Sequence, residues 1–500
     1  MILFRSKPTL LFAATLFLSY IAPGQTHAAS GTRPNIIVIL ADDFGYGSLG
    51  SYGAKGLKTP HLDRLAQEGR RFTQAYAPGS VCSPTRYGLM TGRYYWRTSI
   101  KDGEVLPPDA PLHIETTRLT LASLCRSQGY RTAMFGKWHL GFTAGNVTDW
   151  SQTLAPGPRQ IGFDHFYGMV ANLPAVPHGF VENDEVNAPF ASEPSPTSKP
   201  STPTEAAPAA RNTWKVDHVM ATLTAKTNQW IEANHQQPFF VYYAPNAVHE
   251  PIQPNPRFTG SPYGKYGDFI NELDDSVGQI LATLDRLKLT ENTLIIFTSD
   301  NGAVIESRNE NSATAMKAGL SLNGALRGGK HSEWEGGFRE PFIVRWPGHV
   351  PAGTVSEQVI CLTDLLATFA GVLHAPLSRG QAEDSFNVLR AFTEAKPGAP
   401  VRDAIILQSA DATYILRQGD WKFIERTDAP AFATDRNKRT IDAAAHKKAA
   451  GLSTDELYQL ATDPAETTDV RAANLERAAA LKKLLITARD RGFTRPEAGP

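Results

Sequence analysis

Cysteine is scarce in this chain of 500 residues: there are three, Cys82, Cys125 and Cys361, far apart in sequence. That scarcity excludes a disulfide-built scaffold, and the lack of any CxxC spacing excludes a cysteine-rich zinc site. Neither sign of charge is in excess, with 50 basic residues against 50 acidic. Nothing here resembles the basic surplus that nucleic-acid binding uses, and there is no acidic tail. After Ile21 no apolar segment reads as transmembrane, and no internal repeat is evident. Glycine (40) and proline (35) are plentiful, as in enzymes whose sites lie on loops over a rigid sheet. The length suits one large α/β unit with an appendage.

The longest apolar stretch lies near the start. Arg5 and Lys7 precede Leu10–Ile21, and Thr26-His27-Ala28 follows. Basic, apolar and small residues in that order predict a signal peptide over residues 1–28, and so export to a periplasm or the extracellular space. An uncleaved anchor is the alternative, but the run is short for a bilayer, which needs roughly 20 residues.

Five later runs are continuously apolar: Asn35–Leu40, Arg131–Phe135, Phe239–Tyr243, Leu294–Thr298 and Phe342–Trp346. Such runs predict strands covered on both faces in a mainly parallel sheet. Helical patterns lie between them. Phe269, Ile270, Leu273, Val277, Ile280, Leu281, Leu284 and Leu287 recur by threes and fours, and Leu62, Leu65 and Ala66 close at Gly69. The alternation predicts an α/β catalytic domain over residues 30–398 with helices on both faces of the sheet. Residues 186–212 interrupt it with a Pro/Ser/Thr/Ala-rich stretch, too poor in apolar residues to pack. It reads as a surface loop, with a flap near the substrate as the alternative. After residue 398 come strand candidates Ala404–Leu407, Tyr414–Arg417 and Trp421–Ile424, with Leu457–Leu460 a candidate fourth. A final helix carries Leu481, Leu484, Leu485 and Ala488 on one face. These predict a small α+β subdomain over 399–500 with an antiparallel sheet.

In open α/β sheets ligands bind at the carboxyl ends of strands. Asp42-Asp43 follow the first strand, Asp300-Asn301 follow Leu294–Thr298, Lys137 and His139 follow Met134-Phe135, and His249 follows the Phe239–Tyr243 run. Three carboxylates and an amide are oxygen ligands that suit a hard cation, Ca²⁺ or Mg²⁺, rather than zinc. Each pair alone is weak evidence, because Asp and Asn commonly begin loops after strands.

Cys82-Ser83-Pro84-Thr85-Arg86 with Thr91-Gly92-Arg93 is the most informative stretch. Pro84 suits the first turn of a helix that Tyr87–Met90 continue, and a helix start favours an anion. A buried or redox thiol is the plainer reading of Cys82. Lys330 lies in Arg327-Gly328-Gly329-Lys330-His331, ahead of Trp334-Glu335-Gly336-Gly337, a glycine-rich loop able to bring backbone and cation close to an anion. Lysines serve as point charges on such an anion, and histidines exchange protons near neutral pH.

With Thr59-Pro60-His61-Leu62-Asp63-Arg64-Leu65-Ala66 upstream, these motifs resemble the type I sulfatases of the arylsulfatase A and N-acetylgalactosamine-6-sulfatase kind. The likeness runs from Pro34 almost to the C-terminus and includes Gly162–Gly168, Tyr266-Gly267-Asp268, Gly419–Lys422 and Leu457–Leu460 with Asp463-Pro464. It implies an alkaline-phosphatase-like fold, one bound Ca²⁺, and oxidation of Cys82 to Cα-formylglycine by a formylglycine-generating or anaerobic sulfatase-maturating enzyme. Carried to matching positions, Asp42, Asp43, Asp300 and Asn301 would bind the metal together with residue 82. Arg86 and His139 would activate or orient that residue, Lys137 and Lys330 would grip sulfate, and His249 would lie on the leaving-group side. The implied substrate is a sulfated carbohydrate or an aryl sulfate. A phosphodiester or phosphonate ester hydrolase on the same fold is the competing reaction class, and a catalytically dead binding protein a third reading. His331 and His61 depart from the family pattern, and the 186–212 insertion has no counterpart in it. Asn146-Val147-Thr148 is a glycosylation sequon only in a host that glycosylates. Cys125 and Cys361 sit in apolar, helix-like patterns and read as two buried thiols, pairing being the alternative.

Overall fold

The computed structural model describes residues 33–496 except 146, 174, 176, 178, 188–214, 306–309, 397 and 427–454. The expected signal peptide, Asn146 and nearly all of the 186–212 insertion therefore lie outside the described residues. Among those described, no helix is long and apolar enough to cross a membrane.

The main sheet has eleven strands. In chain order they are β1 (Asn35–Ala41), β2 (Arg70–Tyr76), β3 (Arg131–Lys137), β4 (His165–Met169), β5 (Phe180–Glu182) and β6 (Glu185–Asn187). Then follow β7 (Phe239–Ala244), β8 (Thr293–Ser299), β9 (Arg339–Arg345), β10 (Thr354–Ser356) and β11 (Ile360–Cys361). Across the sheet they run β10-β2-β9-β8-β1-β7-β3-β4-β5-β6, with β11 also beside β2. The centre is parallel: β1 pairs with β7 and β8, and β3 with β7 and β4.

Every residue of β1 is buried because helices cover both faces. Ile36, Val38 and Leu40 pack with α2 (Cys82–Thr91), α3 (Leu121–Ser127) and the helix Leu365–Val372. Ile37, Ile39 and Ala41 face α1 (Pro60–Glu68), α4 (Val219–Asn234) and α5 (Gly264–Arg286). A central position such as Ile37, with no exposed surface, is worth about 2–5 kcal/mol against alanine.

Two features differ from the sequence reading. The apolar run at Phe342–Trp346 does form a strand, β9, but it runs antiparallel to both neighbours, β2 and β8. Apolarity reports burial on two faces and carries no information about strand sense. Cys361 ends strand β11, ahead of its expected helix, although it and Cys125 are buried free thiols.

A second sheet follows, β12 (Ala404–Gln408), β13 (Tyr414–Gln418), β14 (Trp421–Glu425) and β15 (Glu456–Gln459), paired antiparallel in that order. Alternation assigns its faces. Ile406, Leu416 and Phe423 meet the C-terminal helix Leu475–Asp490 with Tyr94 and Trp96. Ile405, Leu407, Ile415 and Ile424 meet Tyr76, Phe338 and Cys361 of the main sheet and its approaches. From Pro34 onward the described residues accordingly form one compact unit.

Candidate active site

The sheet rim is assembled by hydrogen bonds between loop starts. The Asp300 N–H donates to the Ala41 carbonyl at 3.1 Å, and the Asp43 N–H to Asp300 Oδ1 at 3.1 Å. Phe44 N–H reaches Ser299 Oγ at 2.9 Å. Asp43 turns through a left-handed backbone, φ 57°, an unusual conformation for a non-glycine residue and one that recurs at functional sites. These bonds hold the pairs Asp42-Asp43 and Asp300-Asn301 side by side.

Helix α2 begins at Cys82, after extended Val81. The thiol is 1% exposed, and its sulfur lies 3.8 Å from Asp42 Oδ1. Burial pushes this thiol up to about 12 against the pull of Lys137 and Lys330. It is therefore protonated at neutral pH and a poor nucleophile as it stands. One turn on, Arg86 grips Asp300 Oδ2 through Nη2 at 2.6 Å and Nε at 3.1 Å, and donates to the Lys137 carbonyl at 2.9 Å.

Lys137 Nζ donates to both oxygens of Asp42, at 2.9 and 2.8 Å. Lys330 Nζ lies 2.8 and 2.9 Å from the two oxygens of Asp43. Burial raises both aspartates, yet they titrate below the ordinary range. Lys137, His249 and Arg86 outweigh burial at Asp42, as Lys330 and His249 do at Asp43. Three carboxylates thus face three fixed cations, all buried. Adding a divalent cation would leave a surplus of positive charge, which suits an anionic ester.

The histidines are held differently. His139 Nε2 lies 3.0 Å from the Leu106 carbonyl, which places its proton there, while buried Nδ1 has no partner. Burial first, then Lys137 and Arg86, keep it well below its usual titration range. The result is a neutral imidazole with an open lone pair. His249 Nδ1 faces the Glu250 carbonyl at 2.7 Å, and its Nε2 lies 3.7 Å from Asp43 Oδ2. Burial and Lys330 lower its pKa.

Ligand atoms of Asp42, Asp43, Cys82 and His249 lie within 4.8 Å of one another and could hold a metal ion. Asn301 donates Nδ2 to Asp43 Oδ1 at 2.7 Å, and its buried Oδ1 is left without a partner. The oxygens of Asp42, Asp43 and Asn301 suit a hard cation, whereas the Cys82 sulfur and the His249 nitrogen are softer donors. Of the ten expected site residues, eight therefore lie around Asp42, Asp43 and residue 82 or their direct neighbours, with Asp300 held under Arg86 and Asn301 bonded to Asp43. His331 stands on the same loop as Lys330, its N–H bonded to the Ser80 carbonyl at 2.9 Å. The sequence reading did not find Leu106, whose contribution is a backbone carbonyl and leaves no mark in residue type.

Residues 34–375 match the family model described as Sulfatase. Over 503 aligned residues the chain is 35% identical to an N-acetylgalactosamine-6-O-sulfatase of Bacteroides thetaiotaomicron, covering 93% of this chain and 95% of that one. It is 37% identical to arylsulfatase A of Bos taurus over 361 residues, 70% of this chain and 66% of the relative. A solved sulfatase chain from Bacteroides thetaiotaomicron, from work on metabolism of multiple glycosaminoglycans, superposes with TM-score 0.81 at 34% identity, covering 92% of this chain and 100% of that chain. The phosphonate monoester hydrolase of Agrobacterium radiobacter shares the alkaline-phosphatase-like fold, with TM-score 0.60 at 19% identity over 92% and 96% of the two chains.

Proposed function

The chain belongs to the sulfatase family and is a sulfuric ester hydrolase, and we propose that residue 82, matured from cysteine to Cα-formylglycine, is its nucleophile. The observation that carries this reading is the placement of Cys82. It sits at a helix start, 3.8 Å from Asp42, as a protonated thiol unsuited to attack in its own right. As a hydrate, formylglycine supplies one hydroxyl for attack on sulfur and a second whose deprotonation releases sulfate and restores the aldehyde.

Within this reading Lys137 and Lys330 draw the sulfate oxygens into the site, and Arg86 orients residue 82 and Asp300. His249, its Nδ1–H committed to the Glu250 carbonyl, first takes up a solvent proton at Nε2 and, as the imidazolium, gives that proton to the departing alcohol. His139 accepts the proton of the second hydroxyl at Nδ1, the atom its bond to Leu106 leaves open. Asp42, Asp43, Asp300, Asn301 and residue 82 would hold Ca²⁺, whose chemistry is to neutralise charge on the transferring group.

The 35% identity over nearly all of both chains supports a 6-sulfated hexosamine of a glycan as substrate class, with aryl sulfates as surrogates. The basic, apolar and small residues before residue 29 support export to a periplasm or beyond. A formylglycine-generating or anaerobic sulfatase-maturating enzyme would be the required partner. Mass spectrometry of the peptide containing residue 82 tests the nucleophile, and active protein bearing an intact thiol there defeats it. Sulfate release from N-acetylgalactosamine 6-sulfate, compared with p-nitrophenyl sulfate and phosphonate esters, tests the substrate class. A higher kcat/KM on phosphonates would overturn it.

A further inference from the structure

We infer that Glu466 is a positioning residue for Lys330, clamping the glycine-rich loop that carries this lysine to the second sheet; the inference rests on the sulfate-binding role of Lys330 proposed above. The loop from Arg327 to Gly337 contains four glycines. With so few side chains of its own, its shape depends on outside contacts.

Glu466 supplies them at both ends. Its carbonyl accepts from Arg327 Nη1 at 2.6 Å. Its carboxylate accepts the Glu335 N–H at Oε2, 2.6 Å away. Lys330 lies between these anchors, its own N–H on the Ala303 carbonyl at 3.1 Å. A third tie runs through Lys422 of β14, whose Nζ is 2.7 Å from Glu466 Oε1 and 3.1 Å from Glu335 Oε1.

Glu466 is fully buried and adopts φ 53°. Asp463 supports the turn by accepting the N–H groups of Thr467 and Thr468 at 3.0 and 2.9 Å. A charged, non-glycine residue held in a left-handed conformation, with its carboxylate and carbonyl spent on one distant loop, marks a purpose for that loop. The loop in turn packs against the metal-side segment so closely that a Cβ on Gly302 would fall 1.8 Å from the Gly336 carbonyl. A shift at Glu335 is therefore transmitted to the rim where Lys330 meets Asp43.

A double-mutant cycle tests the clamp, using Glu466→Ala, Lys330→Ala and the pair in the full chain. Each preparation is checked for formylglycine at residue 82 and for thermal midpoint. The readouts are KM for p-nitrophenyl sulfate and the inhibition constant of inorganic sulfate. Glu466→Ala is expected to raise both about tenfold in parallel, and to add nothing to Lys330→Ala. Glu466→Gln keeps an acceptor for the Glu335 N–H, should recover part of the loss, and serves in the cycle if the alanine variant does not fold. Effects that multiply, or a lowered midpoint with sulfate inhibition unmoved, overturn the clamp alone. Wild-type constants in Lys330→Ala overturn the reading of Lys330 and the clamp with it.

Discussion

Two buried clusters of charge lie in this molecule, and they are built to different ends. At the sheet rim Asp42, Asp43 and Asp300 face Arg86, Lys137 and Lys330. At the joint between the sheets Glu335 and Glu466 face Lys422, with Arg339 3.5 Å from Glu335. In the joint each of the four carboxylate oxygens has a donor or cation within 3.1 Å, Tyr76 included. At the rim the acids are also satisfied, yet Asn301 Oδ1 and His139 Nδ1 are buried without partners. Buried charge alone is therefore no sign of chemistry. What sets the rim apart is where its open atoms lie: Asn301 Oδ1 and His139 Nδ1 belong to the proposed metal and nucleophile site, whereas Glu466 Oε1 of the joint, also without a hydrogen bond, has Lys422 Nζ 2.7 Å away.

The largest expected effect comes from removing the side chain proposed to mature into the nucleophile. Cys82→Ala should lower sulfate release by about 10⁴-fold or more, while the thermal midpoint stays within about 2 °C of wild type, because the thiol's hydrogen bonding is one long contact to Asp42. Activity surviving in this variant would strip the rim of its assigned role. Next in size is the joint. Lys422→Met leaves Glu335 and Glu466 buried without their shared cation, and breaking such a pair costs about 3–5 kcal/mol. Urea unfolding reads that loss, and an unchanged midpoint would show that the joint does not hold the sheets together.

The contrast between the clusters also explains what the sequence could reveal. The centre of the main sheet was legible because burial on both faces forces unbroken apolar runs, and the rim residues were legible because they follow those runs directly. Strand β2 was not. Its sequence Arg70-Arg71-Phe72-Thr73-Gln74-Ala75-Tyr76 reads as polar, and the buried Arg70 guanidinium is satisfied by the carbonyls of Ala391 and Glu394, at 2.8 and 2.6 Å, more than 300 residues away. The joint was hidden for the same reason. Glu335, Lys422 and Glu466 look like solvated surface charges until the fold brings together segments separated by 87 and 131 residues. The domain reading over 30–398 and 399–500 rests on a change of texture that the clamp at Glu466 crosses.

The Ca²⁺ proposed for the rim would act on one cluster only. At about a hundred times its dissociation constant, Ca²⁺ should stabilise the fold by about 2.7 kcal/mol. Asp43→Asn and Asn301→Ala should lose this increment, and Lys422→Met should keep it. Thermal shifts with and without EDTA measure each case, and an increment that disappears with the joint would locate the ion elsewhere.

The smallest effect separates cation pairing from burial. Asp274 on α5 is buried like the rim acids, but accepts only backbone N–H groups, from Leu62 at 2.8 Å and His61 at 3.2 Å, at the start of α1. Burial pushes it up to about 7 although those N–H groups pull it down, whereas the rim aspartates are held low by lysines. An unfolded aspartate titrates near about 4, so between that pH and 7 the folded state holds a proton the unfolded state has lost. The stability from this group is complete below that window and is lost as pH rises through 7, with a slope of up to about 1.4 kcal/mol per pH unit. Asp274→Asn keeps an oxygen for the Leu62 N–H but cannot ionise, so its stability should fall less steeply from pH 5 to 7. Glu272, also pushed up to about 7 mainly by burial, preserves part of the slope. Urea denaturation at pH 5, 6 and 7 in both proteins decides it. Equal slopes would mean that Asp274 ionises as freely as a paired acid, and that burial without a cation does not set these carboxyls apart.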